Sequence, residues 1–362
     1  MTQASKLIVH VVQHLAPGGL ESLALDMLSF SSSRQRTLLV SLEGNRQQAF
    51  DKWPRLEQYR DKILFLNKPS GVSGKTFIQL YRLFRTLRPN VVHTHHIGPI
   101  LYAGCAARLA QVETRIHTEH DAWHFAKGSH RRIQSFAVQI ARPKWVADAE
   151  LVREQIRQHF SHPVTVIKNG VDCEKFKPGS KLLARQALGL PTDRTLIGCA
   201  GRLEPVKGHA VLLHALAALP DNVSLVLAGA GSQLASLKQL SGNLNIQHRV
   251  IFLGLVGEMA RFYQSLDLFC LPSLSEGFPL STLEAQACDI VTIATQVGAS
   301  EETICPRSGA VVEADNPIAL AKAISDKLDS PGSVSPRQFV RQHNDIRTMI
   351  RAYDSLATEK HA

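Results

Sequence analysis

The chain has 362 residues, 44% of them hydrophobic, which is enough to bury two ordinary cores and argues against disorder. It holds no apolar run near the ~18 to 20 residues that span a bilayer, and its first residues enter a strand without a signal-peptide pattern, so a cytoplasmic protein is expected. The net charge of +10 is uneven, with 27 Lys+Arg against 14 Asp+Glu over residues 1–190 and 14 against 17 over 191–362.

In chain order, the first half alternates strands (7–14, 37–42, 62–66, 91–94, 115–118, 145–147, 164–167) with helices (21–30, 75–87, 98–110, 130–141, 150–159). Strands spaced by helices in this way predict a mostly parallel, doubly wound sheet. Residues 169–179 read as a connection. A second alternating set follows, with strands at 196–200, 224–228, 250–253, 268–271 and 291–294 and helices at 208–218, 232–240, 258–265, 281–287 and 317–328. Near the end, Ile346, Met349, Ile350 and Tyr353 recur at helical spacing and predict a helix with one buried face. In the helix 130–142, Ile133, Phe136, Ala137 and Ile140 share one face, which is expected to meet the core.

The basic first half suits an anionic partner or is a solvated surface. No nucleic-acid recognition element is present, so anionic lipid or a lipid-linked phosphate is the partner class that fits. Six cysteines are scattered without a Cys-x-x-Cys pair and are expected to be reduced.

The chemistry concentrates in Ser275-Glu276-Gly277-Phe278-Pro279-Leu280-Ser281-Thr282-Leu283-Glu284-Ala285, which sets Glu276 and Glu284 either side of seven residues. The preceding apolar stretch reads as a buried strand and the following one as a helix, so the string occupies a strand's carboxyl end, where open α/β sheets bind ligands. A loop carboxylate there accepts from sugar hydroxyls, and a second one can hold a ribose diol. Upstream, Gly201-Arg202-Leu203-Glu204-Pro205-Val206-Lys207-Gly208 follows a strand and opens a helix, placing two cations where a diphosphate is favoured. Gly18 and Gly19 lie between the first strand and its helix, where backbone can approach a phosphate or sugar. His120 ends a strand of the first half, and His93, His95 and His96 follow another, where they could line the acceptor side. No spacing sets two of these histidines on one helix face with a supporting carboxylate, so no metal is expected. Two decoys fail: residues 71–76 end like a phosphate loop but carry Pro69 at the first glycine position, and the Gly229-Ala230-Gly231 run has Leu234 at its third glycine position.

The Glu, seven residues, Glu string, with Phe278, Pro279 and Leu283-Glu284-Ala285, resembles the motif of retaining glycosyltransferase family 4 (glycosyl transferases group 1). The resemblance implies an α/β chain of the GT-B fold, two Rossmann-like doubly wound domains facing a central cleft. It implies an amino-terminal acceptor-side domain at 1–168, a nucleotide-sugar donor domain at 169–344 and a tail helix at 345–362 that crosses back. Glu276 and His120 would position the donor sugar, Arg202 and Lys207 the departing diphosphate, and Glu284 the ribose. Gly18, Gly19, Leu255, Val256, Gly277, Phe278, Pro279 and Leu280 would complete the donor site.

The implied reaction is metal-independent retaining transfer from a UDP- or GDP-linked sugar, a co-substrate with no further cofactor, to a lipid-linked or oligosaccharide acceptor. Lipopolysaccharide, capsule or exopolysaccharide assembly at the inner face of the cytoplasmic membrane is the implied setting. A nucleotide-sugar epimerase of the same fold and a noncatalytic sugar-nucleotide-binding partner are the alternatives. The sequence departs from the family at Asp289-Ile290, where Gly-Pro is frequent, and at Asp148-Ala149, where a serine is common.

Overall fold

The computed structural model describes residues 6–32, 35–330, 332 and 334–359; the leader reading of residues 1–5 lies outside them. The chain divides into two compact units, Met1–Asn169 with Arg347–Ala362, and Gly170–Ile346.

The first unit holds a seven-stranded sheet of β1 (Lys6–Val12), β2 (Gln35–Ser41), β3 (Ile63–Phe65), β4 (Val91–His95), β5 (Thr114–Glu119), β6 (Lys144–Ala147) and β7 (Val164–Val166). Their order is β3-β2-β1-β4-β5-β6-β7, and every pairing is parallel. The second unit holds β8 (Thr195–Ala200), β9 (Val223–Ala228), β10 (Val250–Gly254), β11 (Leu268–Leu271), β12 (Thr292–Thr295) and β13 (Ala310–Val312), in the order β10-β9-β8-β11-β12-β13 and again parallel. Both are doubly wound sheets whose order reverses beside the first strand, between β1 and β4 and between β8 and β11.

Parallel strands covered on both faces call for continuous apolar sequence, and β9 and β11 supply it, being buried throughout. Strands β4 (Val-Val-His-Thr-His) and β5 (Thr-Arg-Ile-His-Thr-Glu) are equally buried yet half polar. Several of their polar groups are matched, across the sheet or by a covering helix: His93 Nε2 lies 2.8 Å from Thr118 Oγ1, Thr94 Oγ1 3.0 Å from His117 Nδ1, and Gln134 Nε2 donates to Glu119 at 2.8 Å.

The structure rotates the helix Gly128–Ala141 away from the expected face. Gln134, Ala137, Val138 and Ala141 point inward, while Phe136 is 58% and Ile133 40% exposed. Two causes combine. The small residues allow close approach, and Gln134 is needed inside to satisfy Glu119. From Arg347 on, the helix Ile346–Thr358 belongs to the amino-terminal unit, with Tyr353 Oη 2.9 Å from Thr118 Oγ1 and Asp354 accepting from Gln35 Nε2 at 2.8 Å. All six cysteines are buried free thiols.

Candidate active site

Loops after β8 and β11 leave in opposite directions at the reversal of the second sheet, so their backbones frame a crevice at the carboxyl ends of the strands. The loop after β8 ends in a short 3-10 turn, Pro205–Lys207, followed by Gly208 at φ +65°. A side chain on Gly208 would strike the carbonyl of Pro272, so glycine lets the two loops touch, and Leu274 N donates to Val206 O at 2.8 Å.

That contact brings Lys207 Nζ to 2.5 Å from Glu276 Oε1, which also accepts from Ser273 Oγ at 2.6 Å. Glu276 is buried and Lys207 partly so. From the other side Ala299 N donates to Gly277 O at 2.9 Å, and Gly298, at φ +53°, packs where any Cβ would run into the Glu276 carbonyl. Thr295 Oγ1 donates to the carbonyl of Ser273 at 2.5 Å. The carboxylate is therefore held by a cation and a hydroxyl on a loop clamped at both ends.

Pro279 caps the helix Leu280–Ala287, whose second turn carries Glu284. The phenol of Tyr263 donates to Glu284 Oε2 at 2.6 Å. Burial first, then the Glu284 charge, push this phenol well above its ordinary range, so it stays a donor. Arg202 is exposed on the loop after β8. Glu204 ties that loop to the one after β9 by accepting from Ser232 N at 3.0 Å and Ser232 Oγ at 2.7 Å. Leu255, 73% exposed, and Val256 follow β10, where Gly254 at φ +69° accepts from Gly229 N at 2.7 Å. The second unit thus carries a buried carboxylate beside a lysine, an exposed arginine and a carboxylate oriented by tyrosine, group types that suit polyhydroxylated, anionic ligands.

In the amino-terminal unit, Gly18 is the N-cap of the helix Gly19–Ser29, and a Cβ on it would meet the Glu21 carboxylate. His120 has both ring nitrogens engaged: Nε2 lies 3.0 Å from His95 Nδ1 and Nδ1 3.1 Å from Asp148 Oδ2, which also accepts from Asn169 Nδ2 at 2.7 Å. Asp148 thus has a structural task at a position where the family often has serine. Burial raises its carboxyl and opposes the His120 and Asn169 contacts, which lower it. His93 and His95 are buried in the sheet rather than lining a surface. His96 remains partly exposed, at φ 67° and ψ 170°, a conformation costing about 1 to 3 kcal/mol outside glycine. Burial lowers His10 to about 4.

Sequence reasoning missed Ser273, Thr295, Gly298 and Tyr263. Ser273 stands three residues before Glu276, a spacing that signals a local side-chain contact, whereas the other three depend on which loops and helices are neighbours in space.

The description "Glycosyl transferases group 1" matches residues 180–344 and "Glycosyltransferase Family 4" residues 17–175. A D-inositol 3-phosphate glycosyltransferase of Mycobacterium sp. (strain KMS) is 36% identical over 208 residues, 55% of this chain and 47% of that protein. One from Corynebacterium urealyticum is 33% identical over 237 residues, 58% and 56% of the two chains. The chain spans about half the length of these curated relatives. In structure, Anabaena Alr3699/HepE, solved with UDP and glucose, superposes with a TM-score of 0.84 at 21% identity, covering 98% of this chain and 100% of that one. A glycosyltransferase from Rickettsia africae gives 0.80 at 21% identity, with 98% of each chain covered. The two sequence matches leave only residues 176–179 between them and the solved structures share both sheets' fold, so the chain belongs to glycosyltransferase family 4, group 1, and has the GT-B fold.

Proposed function

We propose that this protein is a retaining, metal-independent glycosyltransferase that moves a sugar from a UDP- or GDP-linked donor to a hydroxyl of a lipid-linked or saccharide acceptor. Lipopolysaccharide, capsule or exopolysaccharide assembly is the proposed setting. The observation that carries the reading is the Lys207–Glu276–Ser273 cluster at the reversal between β8 and β11. Uracil is the first base to test, because Alr3699/HepE was solved with UDP and with UDP-glucose. An inositol phosphate belongs among the acceptors tested, given the names of the curated relatives.

In this reading Glu276 accepts hydroxyls of the sugar, and Arg202 and Lys207 stabilise charge growing on the diphosphate as the glycosidic bond breaks. Charge stabilisation of the leaving group is the main rate-enhancing effect. Glu284, oriented by Tyr263, holds the ribose. Gly277 through Leu280, with Leu255 and Val256, complete the donor surface. Gly18, Gly19 and His120 are the proposed contribution of the amino-terminal unit. Because both nitrogens of His120 are committed, its backbone is the part free to meet a sugar.

The amino-terminal unit also carries a surface suited to anionic lipid at the cytoplasmic membrane. Trp123, Ile133 and Phe136 are exposed among Lys127, Arg131 and Arg132, a combination of apolar anchors and basic groups that favours interfacial binding. Among the described residues no helix is long and apolar enough to cross a membrane.

The test is calorimetric titration with UDP-, GDP- and deoxythymidine diphosphate sugars, then transfer to candidate acceptors with the anomeric configuration of the product read by NMR. Retained configuration supports the proposal. Inverted product, interconverted donor without acceptor, or donor binding without turnover each refutes it.

A further inference from the structure

We propose that His10, His93 and His95 form a buried binding site for one divalent transition-metal ion, zinc being the ion they fit best. The three meet because of strand register: His10 of β1 is the direct partner of His93 on β4, and His95 lies two residues on, on the same face. One nitrogen from each lies within 4.8 Å of the others, and the ring centroids of His93 and His95 are 4.2 Å apart.

Two of the nitrogens have no other use. His10 Nδ1 and His95 Nε2 are fully buried and find no hydrogen-bond partner among the described residues, an arrangement that is costly unless something occupies the space between them. In two of the three rings, those of His95 and His93, the opposite nitrogen is engaged. His95 Nδ1 faces His120 Nε2, whose Nδ1 faces Asp148, and His93 Nε2 faces Thr118 Oγ1, itself joined to Tyr353. A metal-bound imidazole is typically oriented in this way, its far nitrogen tied to a carboxylate or another polar group.

The donor set selects the ion. Three imidazoles without a carboxylate suit zinc and its neighbours, not magnesium or calcium, which require oxygen ligands. Tetrahedral zinc with bonds of about 2.0 to 2.1 Å needs ligand nitrogens about 3.3 Å apart. Ring tilts of the order of 1 Å supply that contraction. A cavity of about 30 Å³, lined by His10, His93, Thr37, Tyr353 and Asp354 but not by His95, leaves room for one water beside two of the three rings. The site lies wholly in the amino-terminal unit, whereas Arg202 and Lys207 belong to the other. Its ion would fix β1 against β4 and, through His95, the ring of His120, and takes no part in neutralising the diphosphate.

The experiment uses full-length, tag-free protein stripped by a strong chelator, then titrated with zinc in competition with a chromophoric chelator, with metal content and melting temperature measured. One zinc per chain and a raised melting temperature are expected. Cobalt in place of zinc should give the intense visible bands of a tetrahedral site. His10→Gln and His95→Gln should each weaken zinc binding at least 100-fold, with the fold checked by near-ultraviolet circular dichroism. The surface variant His248→Gln should bind as the parent does. Should the two core variants fail to fold, stoichiometry and the cobalt spectrum of the parent decide. Absence of saturable zinc binding, a pale octahedral cobalt spectrum, or unchanged affinity in folded His10→Gln and His95→Gln proteins would overturn the proposal and leave a bound water as the occupant.

Discussion

Replacing Lys207 by alanine removes two things at once, and the structure separates them. The first is structural: Glu276, with its side chain 9% exposed, keeps only the Ser273 hydroxyl of its two partners, the lysine side chain being 20% exposed. Removing one member of a fully buried pair costs about 3 to 5 kcal/mol, and partial solvent access to the lysine reduces this to roughly 1 to 3 kcal/mol. The second is catalytic: a preorganised cation facing a leaving diphosphate is worth about 2 to 4 kcal/mol in the transition state, or about thirtyfold to a thousandfold in rate. Charge on the leaving group is greater in the transition state than in the bound donor, so kcat should fall more than donor affinity. Glu276→Gln supplies the control, because the double variant Lys207→Ala/Glu276→Gln no longer leaves an unpaired charge. It should recover most of the stability lost by Lys207→Ala and none of the turnover. The assay is steady-state transfer beside calorimetric donor affinity and chemical denaturation for the three variants. Turnover of Lys207→Ala within threefold of the parent, in a folded protein, would refute the leaving-group role.

Tyr263→Phe removes the donor to Glu284 and should lower donor affinity by about tenfold or more, the worth of a charge-assisted hydrogen bond, with kcat nearly unchanged; a selective loss of kcat in calorimetry and kinetics would contradict ribose binding by Glu284. Gly298→Ala, at φ +53° against the Glu276 carbonyl, should destabilise the carboxyl-terminal unit by about 2 kcal/mol or more, as a strained backbone and a clash combine; an unchanged denaturation midpoint would show that the loop yields. Transfer should survive a short exposure to EDTA within twofold, and a loss restored by magnesium or manganese would mean a metal at the diphosphate. His209 is lowered to about 4 by burial first and Lys207 second, below its unfolded value, so its stability contribution is present above about pH 6.5 and is lost as pH falls toward 4, by roughly 3 kcal/mol. His209→Gln should flatten that part of the stability profile.

All seven strands of the first sheet and five of the second are legible from apolar runs punctuated by turns. Strand β13 is not, since Ala310-Val311-Val312 is a three-residue, half-buried edge strand without a periodic signal. The helix Lys181–Leu188 had usable signals in its Ser180 cap and Gly189 stop, but it sits beside a stretch that reads as connection. Helix existence was easier to see than helix rotation. In Gly128–Ala141 the large apolar residues define one stripe, yet the smaller Ala137, Val138 and Ala141 with Gln134 turn inward, because a buried Glu119 on β5 outweighs the burial of Phe136.

The site divides along the same line. Glu276 and Glu284 are legible because their meaning is local, a strand end and a helix start separated by a fixed number of residues. The pairing of Lys207 with Glu276 is not, because it depends on β8 and β11 being neighbours at the point where the sheet order reverses, and on Gly208 letting their loops touch. The histidines make the stronger case. His93 and His95 sit in a strand that composition would class as a poor core element, and the search for metal ligands along one helix face passes over them. Register joins them to His10, from the far side of three α-helices and two strands, and supplies Thr118 and His120 to hold the outer nitrogens of His93 and His95, with Asp148 behind His120. In a parallel sheet the chemistry that spacing along the chain cannot reveal is held by groups on alternate residues of adjacent strands. Polar residues recurring at period two inside an otherwise apolar strand are its one trace in the sequence.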